Sequence, residues 1–264
     1  MDLQLYRKTA LVTGSTAGIG FAIAEGLARE GASVVVNGRT EGRVDAAVRK
    51  IRAGSSSGEI TGLVANLGEA AGADEAIRRF PEVDILVNNV GIFEPKPFEE
   101  IPDEDWFQFF EVNVMSGVRL SRHYLPGMKK RNWGRILFIS SESAVQIPAE
   151  MIHYGMTKTA QLAISRGLAE TTVGTGVTVN TVLPGPTASE GVEQFVGQLA
   201  AEQGTSKEAV EKEFFRTMRP SSLLKRFATP EEVANTVVYL SSPLSSATNG
   251  AAIRVDGGVV RSIV

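Results

Sequence analysis

The chain has 264 residues, 43% hydrophobic and 22% charged, with 27 basic against 30 acidic side chains and a net charge of −3. That length can bury a full core without disulfide or metal staples, and the charge excludes a general polyanion-binding surface, so no nucleic-acid partner is expected. With no cysteine and only two histidines, His123 and His153, thiolate chemistry and multi-histidine metal sites are excluded and no metal is expected. Residues 1–8 show no secretory pattern and no run of 18 apolar residues occurs, so no membrane partner is expected and the simplest location is the cytoplasm.

Short β-branched runs alternate with helical patterns along the chain. The strand-like runs are 9–13, 32–36, 60–65, 83–88, 135–140, 177–183 and 251–255. Runs of this kind suit strands buried on both faces of a parallel sheet. Helical spacing fills the intervals at 19–29, 41–52, 70–80, 103–130, 153–172 and 230–240. The alternation predicts an α/β fold, a single Rossmann-type doubly wound parallel seven-stranded sheet with helices on both faces. No linker divides residues 1–264; the serine-rich stretch 54–58 is too short to be more than a loop. One segment, 187–225, breaks the alternation and reads as a helical insertion over the strand ends.

The first strand runs into Thr13-Gly-Ser-Thr-Ala-Gly-Ile-Gly20 and a helix opens there. Glycines let backbone turn tightly and approach a pyrophosphate, whose charge sits at the helix N-terminus. The bland alternative is a glycine-rich turn without a ligand, but strand before and helix after are the context that dinucleotide binding requires.

This loop, with Gly14, Gly18 and Gly20, resembles that of the short-chain dehydrogenase/reductase family. Further motifs follow in family order: Asn88-Asn-Val-Gly91, Asn113, Ser141, Tyr154-Gly-Met-Thr-Lys158, Pro184-Gly185 and Asp256-Gly-Gly258. The chain is most similar to the 3-oxoacyl-thioester reductase and sugar dehydrogenase-like branch. The resemblance implies NAD(P)-dependent oxidoreduction of a small carbonyl or alcohol substrate. It also implies a homotetramer, or a homodimer, built through helices 103–130 and 153–172.

Tyr154 and Lys158 are four apart, on one helix face. A tyrosine is a poor proton donor at neutral pH, with an ordinary pKa of ~10. An ammonium ~4 Å away would contribute ~4 kcal/mol at an effective dielectric of 20, an upper bound because desolvation opposes it. Ser141 ends a strand at the edge where open α/β sheets place ligands, and its hydroxyl can donate to an oxygen gaining negative charge. The resemblance assigns Ser141, Tyr154 and Lys158 as the catalytic triad, with adjacent Ser140 the runner-up for the serine. Asn113 lies inside a helical pattern, where asparagine is a mediocre former. Either it bonds the backbone and bends the helix, or, by resemblance, its carbonyl also holds a water in a proton relay to the lysine. His153 reads as surface or pocket wall rather than catalytic, and His123 as packing or exposed.

For the cofactor, the resemblance places Gly14, Ser15, Thr16, Gly18, Ile19 and Gly20 on the phosphates. It places Asn66 and Leu67 at the adenine, Asn89 and Gly91 along the nucleotide, and Tyr154 and Lys158 at the ribose. Pro184, Gly185, Thr187 and Ser189 fall around the carboxamide. After the second strand comes Asn37-Gly-Arg39-Thr40, with no carboxylate before Glu41. A carboxylate there would accept from the ribose of NAD, whereas the planar fork of Arg39 suits the extra phosphate of NADP. Ala17 removes another common basic position. NADP is therefore favoured over NAD, with an Arg39–Glu41 surface pair as the alternative.

In 187–225, Val192, Phe195, Val196 and Leu199 share a helical stripe, and Thr205-Ser-Lys-Glu208 resembles a capping box. Val210, Phe214 and Met218 follow at helical spacing. Two amphipathic helices must lay their apolar faces on something. The alternatives are a mobile substrate lid and a fixed hairpin or subunit contact.

Overall fold

Alternation along the strands divides their apolar residues between two faces. Ala10, Val12, Val34 and Val36 point to one core and Leu11 and Val35 to the other. The computed structural model describes residues 2–55 and 58–263, and for Gln194 and Phe195 the backbone alone; the serine-rich loop 54–58 lies partly outside the described residues. The strands are β1 (Thr9–Val12), β2 (Ser33–Gly38), β3 (Ile60–Val64), β4 (Ile85–Asn88), β5 (Gly134–Ile139), β6 (Val177–Pro184) and β7 (Ala252–Val255). They form one sheet in the order β3-β2-β1-β4-β5-β6-β7, every pair parallel. This is the expected doubly wound architecture.

Helices α1 (Gly18–Arg29), α2 (Glu41–Gly54) and α9 (Pro230–Leu240) cover one face, through Ile23, Leu27, Val44, Ile51, Val233 and Val237. Helices α3 (Ala70–Arg79), α5 (Ser116–Lys130) and α6 (Ile152–Glu170) cover the other, through Ala73, Leu120, Tyr124, Met128 and Ala169. The insertion forms α7 (Glu190–Glu202) and α8 (Lys207–Thr217), with Ser206 capping α8 through the Ala209 amide.

The helix expected over 103–130 is two helices. α4 (Asp103–Phe110) meets α5 through one π turn, Glu111–Met115, centred on Asn113. A π turn inserts an extra residue and locally breaks the regular ladder, which is what the asparagine in this stretch signalled.

His153, expected at the surface or the pocket wall, is completely buried. α4 folds over the start of α6, so the imidazole lies against Phe109 (centroids 4.0 Å apart) and Trp106 (6.0 Å). Among the described residues neither ring nitrogen has a hydrogen-bond partner. His123 is exposed, with Nε2 3.0 Å from the Pro81 carbonyl.

Burial, with Lys96 nearby, holds the His153 pKa below its ordinary value, while Asp105 and Glu94 push the other way. A depressed folded pKa means the ring is neutral in the fold. Its contribution is complete above the unfolded value of ~6.5 and is lost as pH falls towards the folded value. The melting temperature is therefore expected to fall between pH 7 and pH 5, and His153→Leu is expected to flatten that fall; equal slopes in calorimetry for both proteins would refute the assignment.

Candidate functional site

All seven strands point the same way, so their carboxyl ends share one edge. The chain moves outward from β1 to β2 and β3 on one side, and from β4 onward on the other. The crevice between the ends of β1 and β4 is the switch point where such sheets take ligands. The glycine loop and Asn89 meet there. Asn89 Nδ2 donates to the carbonyls of Thr13 (2.9 Å) and Gly14 (3.0 Å), and its amide donates to Thr13 Oγ1 (2.8 Å). Gly14 and Gly18 have φ of 61° and 55°, a region that favours glycine. A Cβ on Gly20 would stand 2.4 Å from the Gly14 carbonyl oxygen. The first turn of α1 has no side-chain cap at its N-terminus and lines a cavity through Ile19, a cradle that fits a pyrophosphate.

Not every residue of the loop faces that space. Ser15 is completely buried; its hydroxyl donates to the Val12 carbonyl and accepts from the Asn37 amide, and its own backbone amide donates to the Asn37 carbonyl at 2.8 Å, so it is tied to β2 rather than turned to a phosphate. Thr16 packs against the backbone of Gly38, whose missing Cβ leaves it room. Asn37 stays inside the loop, with Oδ1 accepting from the Gly14 amide at 3.0 Å. Arg39 is exposed just beyond β2, and among the described residues no Arg39–Glu41 pair forms. Asn66 is exposed, its Nδ2 donating to Glu69 and its Oδ1 accepting from the Gly68 amide. The Leu67 side chain belongs to the core, so only its backbone is available to an adenine.

Ser141, Tyr154 and Lys158 come together in a cavity of about 560 Å³, which Ile19, Asn89, Gly91, Pro184, Gly185, Thr187 and Ser189 also line. Ser140 lines it too, but its hydroxyl donates to the Lys158 carbonyl at 2.9 Å. Lys158 Nζ lies 5.6 Å from the Tyr154 ring centre and donates to the Ile139 carbonyl at 2.9 Å. A Cβ on Gly91 would stand 3.4 Å from that Nζ, so the glycine makes room for the ammonium. Thr187 Oγ1 donates to the Gly185 carbonyl (2.9 Å), and Ser189 precedes α7.

The Coulombic argument from the sequence is outweighed by burial. Burial pushes the Tyr154 phenol above its ordinary value; the Ser141 hydroxyl and, more weakly, Arg219 draw it down, while Glu142 pushes it up. Burial also pulls Lys158 down to about 8. At neutral pH the phenol keeps its proton.

Asn113 is buried with both side-chain functions committed. Oδ1 accepts from the Ile92 amide (2.7 Å), and Nδ2 donates to the Ile92 carbonyl and to Thr157 Oγ1, both at 3.0 Å. Its backbone carbonyl accepts from Gln161 Nε2 at 2.6 Å, so a water held there has one lone pair left. Gln161 Oε1 lies 3.5 Å from Lys158 Nζ. Sequence reasoning missed Gln161, although it sits three residues beyond Lys158 on the same helix face.

Also missed were Glu142 and Arg219. Glu142 Oε2 accepts the Ser141 hydroxyl proton at 2.6 Å. Arg219, just past α8, donates from Nε to Glu142 Oε1 (3.0 Å) and from a terminal nitrogen to Glu150 Oε1 (3.1 Å). The available signal was a carboxylate directly after Ser141 in an otherwise apolar and hydroxyl-bearing stretch; nothing in the pattern marked Arg219 as its partner. The insertion itself covers the cavity. Val192, Val196, Leu199, Phe214 and Met218 line it, while the Phe195 side chain lies outside the described residues.

A family model described as enoyl-(acyl carrier protein) reductase matches residues 14–260. The oxidoreductase YvaG of Bacillus subtilis is 51% identical over the whole of both chains. D-β-hydroxybutyrate dehydrogenase of Cupriavidus necator is 35% identical, over 97% of this chain and 99% of its own. In structure, L-sorbose reductase from Gluconobacter frateurii, complexed with NADPH and L-sorbose, superposes with a TM-score of 0.93 at 32% identity and full coverage of both chains. With the parallel sheet, the glycine cradle and this cavity, these likenesses make the chain a member of the short-chain dehydrogenase/reductase family, an NAD(P)-dependent oxidoreductase.

Proposed function

We propose that this enzyme prefers NADP and moves a hydride between the nicotinamide and a carbonyl or secondary-alcohol carbon, with Tyr154 as general acid and base. The observation that carries the reading is the meeting of Ser141, Tyr154 and Lys158 in one cavity beside the glycine cradle. The bound dinucleotide supplies or accepts the hydride. In reduction, Ser141 donates a hydrogen bond to the substrate oxygen as charge develops on it. Tyr154 transfers its phenolic proton to that oxygen, and burial suits it to hold the proton until then. Lys158, fixed by the Ile139 carbonyl, keeps a positive charge beside the phenolate that results and offers its ammonium to the ribose hydroxyls. Asn113 fixes Ile92 and Thr157 around it, and Gln161 joins the Asn113 carbonyl to the lysine end, along the path by which a replacement proton would arrive. The commitment of Ser140 to Lys158 favours Ser141 for the oxygen. Self-association as a homotetramer or homodimer through α4–α5 and α6 is supported by Phe107 and Phe110, exposed on α4.

Tyr154→Phe removes the proton donor, and general acid–base groups contribute ~10²- to 10⁴-fold. Turnover is expected to fall by at least tenfold with the fold and cofactor binding retained; a purified variant that keeps more than a tenth of wild-type turnover would exclude Tyr154 from this role.

The NADP preference rests on Arg39, exposed beyond β2 without an acidic partner among the described residues, and is supported by the NADPH carried by the sorbose reductase. Losing a charge-assisted phosphate contact costs about 1.5–3 kcal/mol, roughly ten- to a hundredfold in affinity. Arg39→Ala is expected to weaken NADPH binding by that factor and leave NADH nearly unchanged. Equal losses for both in titration calorimetry would reject it.

We read 187–225 as a substrate lid within the single domain of 1–264, because its apolar side chains close the cavity while, among the described residues, a small cluster, Val196, Ala200 and Val210 with Val192, Leu199 and Phe227, holds α7 to α8. Hydrogen exchange over this segment is expected to slow when NADP and substrate are added. Protection already high without ligands and unmoved by them would make it a fixed hairpin.

A further inference from the structure

The charges at the substrate end of the cavity are not needed for hydride transfer itself. Glu142 is 4% exposed and Arg219 8% exposed. Arg219 bridges Glu142 and Glu150, and Glu213 of α8 lines the same cavity. Two carboxylates therefore share one guanidinium, while Glu213 is exposed and already paired with Arg216. Lys158 is the only other cation lining the cavity among the described residues, and it is tied to the Ile139 carbonyl. A substrate carboxylate would find, among the described residues, no uncommitted cation to replace the water it gives up.

Hydrogen-bond accounting sharpens this. A serine hydroxyl has one proton to donate, and Ser141 gives its proton to Glu142 Oε2 at 2.6 Å. To hold a substrate carbonyl, Ser141 must turn that proton away. Glu142 Oε2 is then left buried without a donor, which is costly for a charged acceptor. A hydroxyl on the carbon beside the carbonyl can take the place of the serine proton on Glu142. A substrate carrying such a hydroxyl restores the bond; one without it does not.

Resting on the oxidoreductase reading above, we propose that the substrate is a neutral polyhydroxylated carbonyl compound, an α-hydroxyketone of the ketose kind or the corresponding vicinal diol, and that Glu142, held in place by Arg219, is the acceptor for the hydroxyl next to the reacting carbon. Glu142 thereby selects the substrate. Hydride and proton go to the carbonyl carbon and oxygen as before, and the neighbouring hydroxyl keeps its own proton.

Hydroxyacetone and 2-butanone have similar shapes and differ in a terminal hydroxyl against a methyl, so they isolate this contact. The measurement is steady-state oxidation of NADPH, repeated with NADH, by the wild-type enzyme with hydroxyacetone, 1,3-dihydroxyacetone, L-sorbose, 2-butanone, acetoacetate and acetoacetyl-coenzyme A. The kcat/KM for hydroxyacetone is expected to exceed those for 2-butanone and acetoacetate by at least tenfold. Glu142→Gln is expected to collapse the hydroxyacetone-to-butanone ratio towards one, through KM more than kcat. A wild-type enzyme that uses 2-butanone, acetoacetate or the thioester as well as the hydroxyketones overturns the inference and leaves the oxidoreductase reading standing. A Glu142→Gln ratio equal to wild type overturns the role of Glu142. Oxidation by no member of the panel with either cofactor overturns the reading itself. Should Glu142→Gln fail to fold, the wild-type pair decides alone.

Discussion

The site depends on how closely α1 approaches the loop that precedes it. Gly20 leaves no Cβ where one would stand 2.4 Å from the Gly14 carbonyl oxygen and 2.5 Å from Asn89 Nδ2. That gap lets the first turn of α1 come down onto the end of β1 while the Asn89 amide, arriving from β4, binds the same carbonyls. Three elements thus meet at the switch point, joined by the Asn89 side-chain amide. A comparable approach occurs further along the edge, where a Cβ on Gly185 would stand 2.5 Å from the Asp256 carbonyl oxygen. The carboxyl edge is thus drawn tight at two points, and the cavity lies between them.

Much of this was legible in the sequence because it is local. Strand and helix periodicities are set by neighbours in the chain, and the seven strands appear within a few residues of where the apolar runs place them. Glycine spacing and the Tyr154–Lys158 interval are likewise short-range. What was not legible depends on which distant segment lands on which. Ser15 looked like a phosphate ligand, but the arrival of β2 places Asn37 on its hydroxyl. His153 looked exposed on α6 until α4, more than forty residues earlier, closed over it. Arg219 and Glu142 are 77 residues apart, and no periodicity ties them. Asn113 was marked by being out of place in a helix, yet the π turn it centres on, and the Gln161 contact to its carbonyl, required the packing of α6 against that turn.

Electrostatics at the site shows the same limit from another side. A charge four residues away suggests a depressed phenol, and at the surface Coulomb attraction would carry that through. Inside this cavity both Tyr154 and Lys158 lose hydration, and burial moves each towards its neutral form. The two shifts are compatible. Lys158, at about 8, remains mostly charged at neutral pH, while the phenol stays protonated. A protonated phenol beside an ammonium suits proton delivery to a carbonyl oxygen, because the anion left behind is then stabilised by a charge already in place. Glu142 adds to the upward push on Tyr154 and Arg219 opposes it, so the pair proposed to receive the substrate also bears on the proposed proton donor.

That pair also constrains how the insertion can move. Arg219 follows directly on α8, yet it is held among Glu142 and Glu150 on the body of the protein. Withdrawing it would leave Glu142 buried and unpaired, and breaking such a pair costs about 3–5 kcal/mol. An opening that carried Arg219 outward would therefore be rare. At the opposite end the chain before α7 is tied down, with the Ala188 amide donating to the Ala228 carbonyl and the Ala228 amide to the Pro186 carbonyl, but α7 itself is held more weakly. Arg43 pairs with Glu190 at an exposed position, where ion pairs contribute about 0–1 kcal/mol, and, among the described residues, the small cluster around Val196 joins α7 to α8. Between the two helices Gly204 has a φ of 61° and an added Cβ there would meet nothing, so that turn can change without displacing packed neighbours. On the proposed lid reading, motion of α7 about the Gly204 turn, with Arg219 left in place, would open the cavity at the lowest cost. It would also leave the charged floor beside Ser141 intact, so the groups proposed to read the substrate would be assembled before it enters.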